Sequence, residues 1–197
     1  MSDNPRRPTH PIDAVFTERW SPRAFSKDEI TENELLTLIE AARWAPSAYN
    51  SQPWRFVFAR RDTPQFASLL ACLGEFNQSW AKHAAALVFV VSNSVLRPPG
   101  GDKDVPSYSH SFDAGAAWAY LALQATKSGW YTHGMTGVDF DKAFADLGVP
   151  AGFRVEAAVA IGRLGDKSQL PEFLQGREVP SDRQPLSSIA FEGRFPG

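Results

Sequence analysis

Ala41-Ala42-Arg43-Trp44-Ala45-Pro46-Ser47-Ala48-Tyr49-Asn50-Ser51-Gln52-Pro53-Trp54-Arg55-Phe56 is the stretch on which the rest of the sequence turns. It begins inside a helical repeat of apolar residues and ends in a strand-like run, with Pro46 and Pro53 between. Each proline fixes its own φ and narrows the choices of the residue before it, so the connection is stiff. Ser47, Asn50, Ser51 and Gln52 fill it with short, uncharged hydrogen-bonding side chains, and Arg43, Trp44, Trp54 and Arg55 flank it. Two readings stand level. One is a packed helix-to-strand corner whose polar groups bond their own backbone. The other is a rigid polar rim that offers neutral donors and acceptors to the edge of a flat heterocycle.

Toward the N-terminus, Leu35, Leu38, Ile39 and Ala42 share one face of a helix that stops at Pro46. Thr31 with Glu34, and Ser26 with Glu29, are spaced as capping boxes. Before them, Arg19-x-Ser21-x-Arg23 alternates so that in an extended segment all three side chains project to one side. Two guanidiniums around a hydroxyl can clamp a phosphate, although a lone pattern of this kind is more often a pair of solvated arginines. A short helix through Ile12, Val15 and Phe16 ends near Arg19, and residues 1–10 read as a flexible leader without an apolar signal segment.

Toward the C-terminus, Arg55–Arg60 reads as a strand, and Thr63-Pro64 opens a helix with Phe66, Leu69, Leu70 and Leu73 inward and Gly74 as its stop. Asn77 and Trp80 lead into Ala84–Val91, which is apolar on both faces and is expected as a central strand. Residues 93–111 form the one long irregular segment. Asp113–Lys127 is small-sided and apolar nearly all round, which predicts a buried helix suited to a subunit interface. His133-Gly134-Met135-Thr136-Gly137 reads as a glycine-punctuated turn, Asp139–Gly148 as a helix and Val155–Gly162 as a strand. From Arg163 the chain is an extended arm whose Leu170, Phe173, Leu186, Ile189 and Phe191 need cover.

The chain has 197 residues, enough for one domain from residue 11 to 197 with the arm 163–197 included. A net charge of −2 gives no electrostatic case for nucleic acid or an anionic membrane. The single cysteine excludes an internal disulfide framework and a cysteine-rich metal site, and no metal centre is expected. No apolar run reaches the ~20 residues of a membrane span, so a cytoplasmic protein is expected.

Taken in order, Arg19-x-Ser21-x-Arg23-x-Phe25, then Ala45-Pro46-Ser47-x-x-Asn50-Ser51-Gln52-Pro53-Trp54, then Arg183-Gln184-Pro185-Leu186 make the chain resemble the nitroreductase family of FMN-dependent oxidoreductases. Asn77, Gly134 to Gly137 and Ala160-Ile161-Gly162-Arg163 fall where that family has related features, so the resemblance runs from about Phe16 to Phe195. It implies an α+β fold, a central mixed sheet wrapped by helices, in an intertwined homodimer with an exchanged C-terminal arm and FMN at the subunit interface. Arg19, Ser21 and Arg183 would hold the phosphate, with Trp20 beside them and Arg23 by the pyrimidine edge. Pro46, Ser47, Ala48 and Asn50 would come from the other subunit, Asn77, Thr136 and Gly137 would lie near the ring, and Tyr49 would line the substrate pocket. The chemistry implied is ping-pong hydride transfer from NADH or NADPH through flavin N5 to a small planar acceptor such as a nitroaromatic or quinone, with no catalytic side chain required. The alternative is a flavin-binding, flavin-storing or flavin-modifying protein of the same fold with little NAD(P)H turnover. One departure is Ser181: many members carry a basic residue at that place, two before the tail arginine.

Overall fold

In the computed structural model, which describes residues 4–196, the chain runs through α1 (Val15–Glu18), α2 (Glu32–Arg43), β1 (Trp54–Arg60), α3 (Pro64–Leu70), α4 (Glu75–Ala81) and β2 (Ala86–Asn93). A small hairpin, β3 (Val95–Leu96) with β4 (Val105–Pro106), folds part of the irregular segment. Then follow α5 (His110–Lys127), β5 (Tyr131–Met135), α6 (Phe140–Asp146), β6 (Phe153–Gly162) and α7 (Glu172–Gln175). The main sheet has the order β1-β2-β6-β5.

β2 explains the layering. Its side chains alternate, and both sets are apolar, so each face of the sheet must be covered. Leu87, Phe89 and Val91 pack into one cluster with Phe66, Leu69 and Trp80 from α3 and α4. Val88 and Val90 pack into the other with Leu35 and Leu38 of α2 and Ala114, Ala117 and Leu121 of α5. The small residues of α5 therefore sit on the sheet and against α2, which buries one face of the helix, while Phe112 and Tyr120 on it stay exposed. Thr31 and Glu34 close the capping box at the start of α2. Cys72 lies in the first cluster, fully buried, with its Sγ 3.4 Å from the Ser68 carbonyl.

The helix-wrapped α+β architecture is the expected one, but within the chain the sheet is antiparallel throughout rather than mixed. Arg60 pairs with Ala86, so the excursion 61–85 leaves and returns at the same end of the sheet, and β2 has to run back along β1. The Ser26–Glu29 pair caps no helix; Ser26 Oγ donates to Asp28 instead. The helix expected from Pro64 to Gly74 ends early, at Leu70, and a second helix, α4, starts at Glu75. Leu73 bridges to Val138 and the Gly74 N–H donates to the Gly137 carbonyl, which draws the backbone out of helix and makes Gly74 the N-cap of α4. His133–Met135 is likewise no turn but the edge strand β5, paired with Ala158–Ala160. A Cβ on Gly134 would stand 3.2 Å from Trp118 Cζ2, so that glycine serves the close approach of α5.

The arm finds cover in its own chain only over its first part: Leu170 and Leu174 are buried, whereas Phe173, Leu186, Ile189 and Phe191 are exposed. Among the described residues no helix is long and apolar enough to cross a membrane.

Phe25 is tied into the sheet margin by a bridge to Leu164, and Gly165 crosses directly over it, its N–H donating to the Ala24 carbonyl at 2.9 Å. A Cβ at 165 would lie 2.5 Å from the Phe25 carbonyl carbon. Gly165→Ala is therefore expected to destabilise the fold by about 1–3 kcal/mol through forced backbone shift. Gly176→Ala, with nothing within 4 Å of the added carbon, is the control. Urea midpoints that coincide for the two variants would contradict this packing.

Candidate functional site

Arg19 follows α1 as the chain turns extended, and its guanidinium reaches toward Ser21 Oγ at 3.5 Å. Arg183 meets the same region from the arm, donating to the Ser181 carbonyl at 3.2 Å and to Ser181 Oγ at 3.0 Å. A further guanidinium joins them, that of Arg6, which donates to the Arg19 carbonyl at 2.7 Å, the Thr17 carbonyl at 3.1 Å and the Ser181 carbonyl at 2.8 Å. Asn4 adds a bond to the Thr17 carbonyl. None of these arginines forms an ion pair among the described residues. Burial first, then the charge of Arg183, lower the pKa of the Arg19 guanidinium. The result is a pair of serine hydroxyls among like charges that no carboxylate meets in an ion pair, although Asp182 acts on Arg6 through space. That donor set is suited to a phosphate.

Trp20 does not share this surface. Its indole is buried edge-on against Tyr131 at 6.1 Å, so it can offer a ligand only its backbone.

The turn after α2 forms the second part. Tyr49, Asn50 and Gln52 all have positive φ, between 49° and 54°, a conformation side chains other than glycine seldom adopt. Ser47 Oγ accepts from the Gln52 N–H, and Gln52 Nε2 donates to the Asn50 carbonyl. The turn is pinned to the first turn of α5 by Asp113, a 3% exposed carboxylate that accepts from the Ala48 N–H at 3.2 Å and from Ser109 Oγ at 3.0 Å. The polar side chains are thus partly spent on the turn itself, as the corner reading has it, while Tyr49 and Asn50 face outward as the rim reading requires. Among the described residues no hydrogen bond joins this turn to the arginine cluster.

A third group lies along β5. Glu178 accepts from the backbone N–H groups of Arg23 and Ala24 at 2.6 and 2.7 Å, and its other oxygen is 4.0 Å from the Arg23 guanidinium. Arg23 lies over the Trp80 ring at 6.0 Å, and its Nε is buried without a partner. The cation expected at a pyrimidine edge is therefore one half of a partly buried ion pair. His133 donates Nδ1–H to the Pro22 carbonyl at 3.0 Å and packs 4.6 Å from Trp80. Burial above all, with the Arg23 charge adding, holds its imidazole down to about 4, so it is neutral at pH 7. Asn77 and Gly137, far apart in sequence, meet here: Asn77 Nδ2 donates to the Gly137 carbonyl at 3.0 Å, and a Cβ at 137 would strike that nitrogen at 2.6 Å. Thr136 precedes this contact and is exposed.

Sequence reasoning missed Arg6, Asp113, Glu178 and His133. Only Asp113, an acid in the first turn of a helix, carried a local signal.

The family model described as Nitroreductase family matches residues 16–82. A solved structure described as an oxidoreductase containing FMN is 50% identical, with a TM-score of 0.94 over 100% of this chain and 99% of that one. An uncharacterized 15.4 kDa protein of Mycolicibacterium smegmatis is 35% identical over 149 residues, covering 72% of this chain and 97% of its own. The NADH dehydrogenase of Thermus thermophilus is 28% identical over 196 residues, 87% of this chain and 91% of its own.

The buried neutral imidazole of His133 has a pH consequence. Its folded pKa lies below the unfolded value of ~6.5, so the unfolded chain binds the extra proton first. Its contribution is whole above that value and is lost as pH falls toward 4. The loss is on the order of 3 kcal/mol. His133→Asn keeps a donor for the Pro22 carbonyl and removes the titration. Urea unfolding at pH 7 and pH 4.5 should show the variant gaining on the wild type in acid, whereas parallel losses would assign the acid sensitivity elsewhere.

Proposed function

This chain belongs to the nitroreductase family, and we propose that it is an FMN-dependent oxidoreductase in which NADH or NADPH and a small planar acceptor, a nitroaromatic or quinone, alternate over one site. The observation that carries this reading is the uncompensated pair Arg19 and Arg183 with Ser21, a donor set that matches the terminal phosphate of FMN. When bound, FMN would supply the hydride chemistry between nicotinamide and acceptor.

The protein's own groups bind and orient. Arg19, Ser21 and Arg183 hold the phosphate by charge-assisted bonds. Thr136 and Gly137 flank the ring, with Asn77 fixing the Gly137 peptide through its carbonyl. Arg23 lies at the pyrimidine edge, its charge moderated by Glu178. Pro46, Ser47, Ala48 and Asn50 reach the ring of a flavin held by a second copy. The support for that last assignment is that Asp113, which anchors the turn, adjoins Phe112, 82% exposed, while the arm leaves Leu186, Ile189 and Phe191 uncovered. A homodimer buries both sets.

The deciding experiment is the visible spectrum of the purified protein, followed by its bleaching with NADH or NADPH and recovery with menadione or a nitroaromatic. A colourless protein that takes up no added FMN would sink the proposal. FMN retained without nicotinamide oxidation would leave a flavin-binding protein rather than an enzyme.

Arg19→Ala should weaken FMN binding by about 1.5–3 kcal/mol, tenfold or more. Arg7→Ala is the control: Arg7 is exposed and, among the described residues, donates only to the Asn4 and Arg6 carbonyls. Equal dissociation constants for the two variants would return Arg19 to the solvated surface.

Tyr49, 72% exposed at the tip of the turn, is proposed to limit which acceptor stacks. Tyr49→Ala removes an aromatic contact of about 0.5–1.5 kcal/mol and opens the site. At equal FMN content, a small quinone should lose kcat/KM and a bulkier nitroaromatic should gain. One common factor for both acceptors would assign Tyr49 to the corner alone.

A further inference from the structure

We propose that Arg6 is a third phosphate-binding guanidinium of the flavin site, supplied by the N-terminal segment; the inference rests on the function proposed above and adds a residue to it. Arg6 lies in a stretch that the sequence marks only as leader, and it is half-buried where its neighbour Arg7 is exposed. Its hydrogen bonds tie the N-terminal segment to Thr17 in α1 and Arg19 at its end, and to Ser181 in the arm across 175 positions.

The donor inventory leaves room for a ligand. A guanidinium has five N–H groups. Nε serves the Ser181 carbonyl, Nη1 serves the Thr17 and Arg19 carbonyls, and Nη2 makes only a 3.5 Å contact to Ser181 Oγ. Among the described residues one Nη2 hydrogen is left over, near Ser181 Oγ, which Arg183 also bonds. Every acceptor that hydrogen-bonds Arg6 is neutral, so its charge is oriented without an ion pair among the described residues, Asp182 acting on it only through space. A structural tie between these segments does not need a cation beside two others, since a neutral amide would serve. An anion does need them. Arg6 is itself lowered in pKa by burial and then by Arg183 and Arg19, with Asp182 opposing, as follows for a charge held among like charges. Ser181 is the residue both guanidiniums touch, so Arg6 brings a second charge to it from the other end of the chain.

The test compares FMN with riboflavin, which has the same ring and no phosphate. Full-length protein, stripped of flavin, is titrated with each by fluorescence quenching, for the wild type, Arg6→Ala, Arg6→Gln and Arg7→Ala. Arg6→Gln keeps donors for the carbonyls without charge and stands in if the alanine variant fails to fold. The expected result is a loss of FMN affinity of about tenfold or more in the Arg6 variants, with riboflavin affinity unchanged and Arg7→Ala like the wild type. FMN affinity unchanged in both Arg6 variants overturns the proposal. Loss of FMN and riboflavin by one common factor also overturns it, and makes Arg6 a structural tie. Wild-type protein that binds neither flavin fails the proposed function itself, a result visible before any variant is examined.

Discussion

A strand that is apolar on both faces cannot be left half-covered, and β2 is the constraint from which this molecule follows. Leu87, Phe89 and Val91 call for α3 and α4 on one side, and Val88 and Val90 call for α2 and α5 on the other. With both faces occupied, a ligand has only the sheet margins and the ends of the helices to bind against. The chemically equipped residues are found there. Trp20 and Pro22 brace the Arg19–Arg23 segment against Tyr131 and His133 on the edge strand β5. The turn before β1 hangs from Asp113 at the start of α5. The rigidity of the sandwich is transmitted to the site through a few buried side chains.

Two kinds of cation result. Arg23 is met by a buried carboxylate and stacked near an indole, so its field is local and its position fixed. The guanidiniums around Ser181 are oriented by neutral carbonyls and hydroxyls only. Charge left uncompensated at the protein surface attracts an anion over distances of about a Debye length, ~8 Å at physiological ionic strength. The first arrangement suits holding a ring edge, the second capturing a phosphate. In the proposed site the two functions are separated by which arginine is paired with an acid.

Much of this was legible in the residues. The two-faced run of β2, the Thr31–Glu34 box and the proline-bounded turn each encode structure through neighbours close in sequence, and each appears as read. What failed to show was set at long range. Gly74 reads as a helix stop, yet it is the partner of Gly137; Gly134 reads as a turn residue, yet it makes space for Trp118. Glu178 reaches Arg23 across 155 positions, and Arg6 reaches Ser181 across 175. No periodicity carries such contacts, because each depends on two distant segments being brought together by a core that neither belongs to. Trp20 shows the converse: it sits inside a legible motif, but its own bulk sends it into the interior.

Cys72 has a practical consequence. It is the sole thiol of the sequence, fully buried, its pKa raised first by burial and then by Asp146. A thiol of that kind is a poor nucleophile. Alkylating dyes and spin labels therefore meet an unreactive background, and the native protein is already suited to single-site labelling. A cysteine introduced by Asp102→Cys, in the exposed segment between β3 and β4, becomes the one reactive handle. Distances between two such labels would test the proposed homodimer without altering the core.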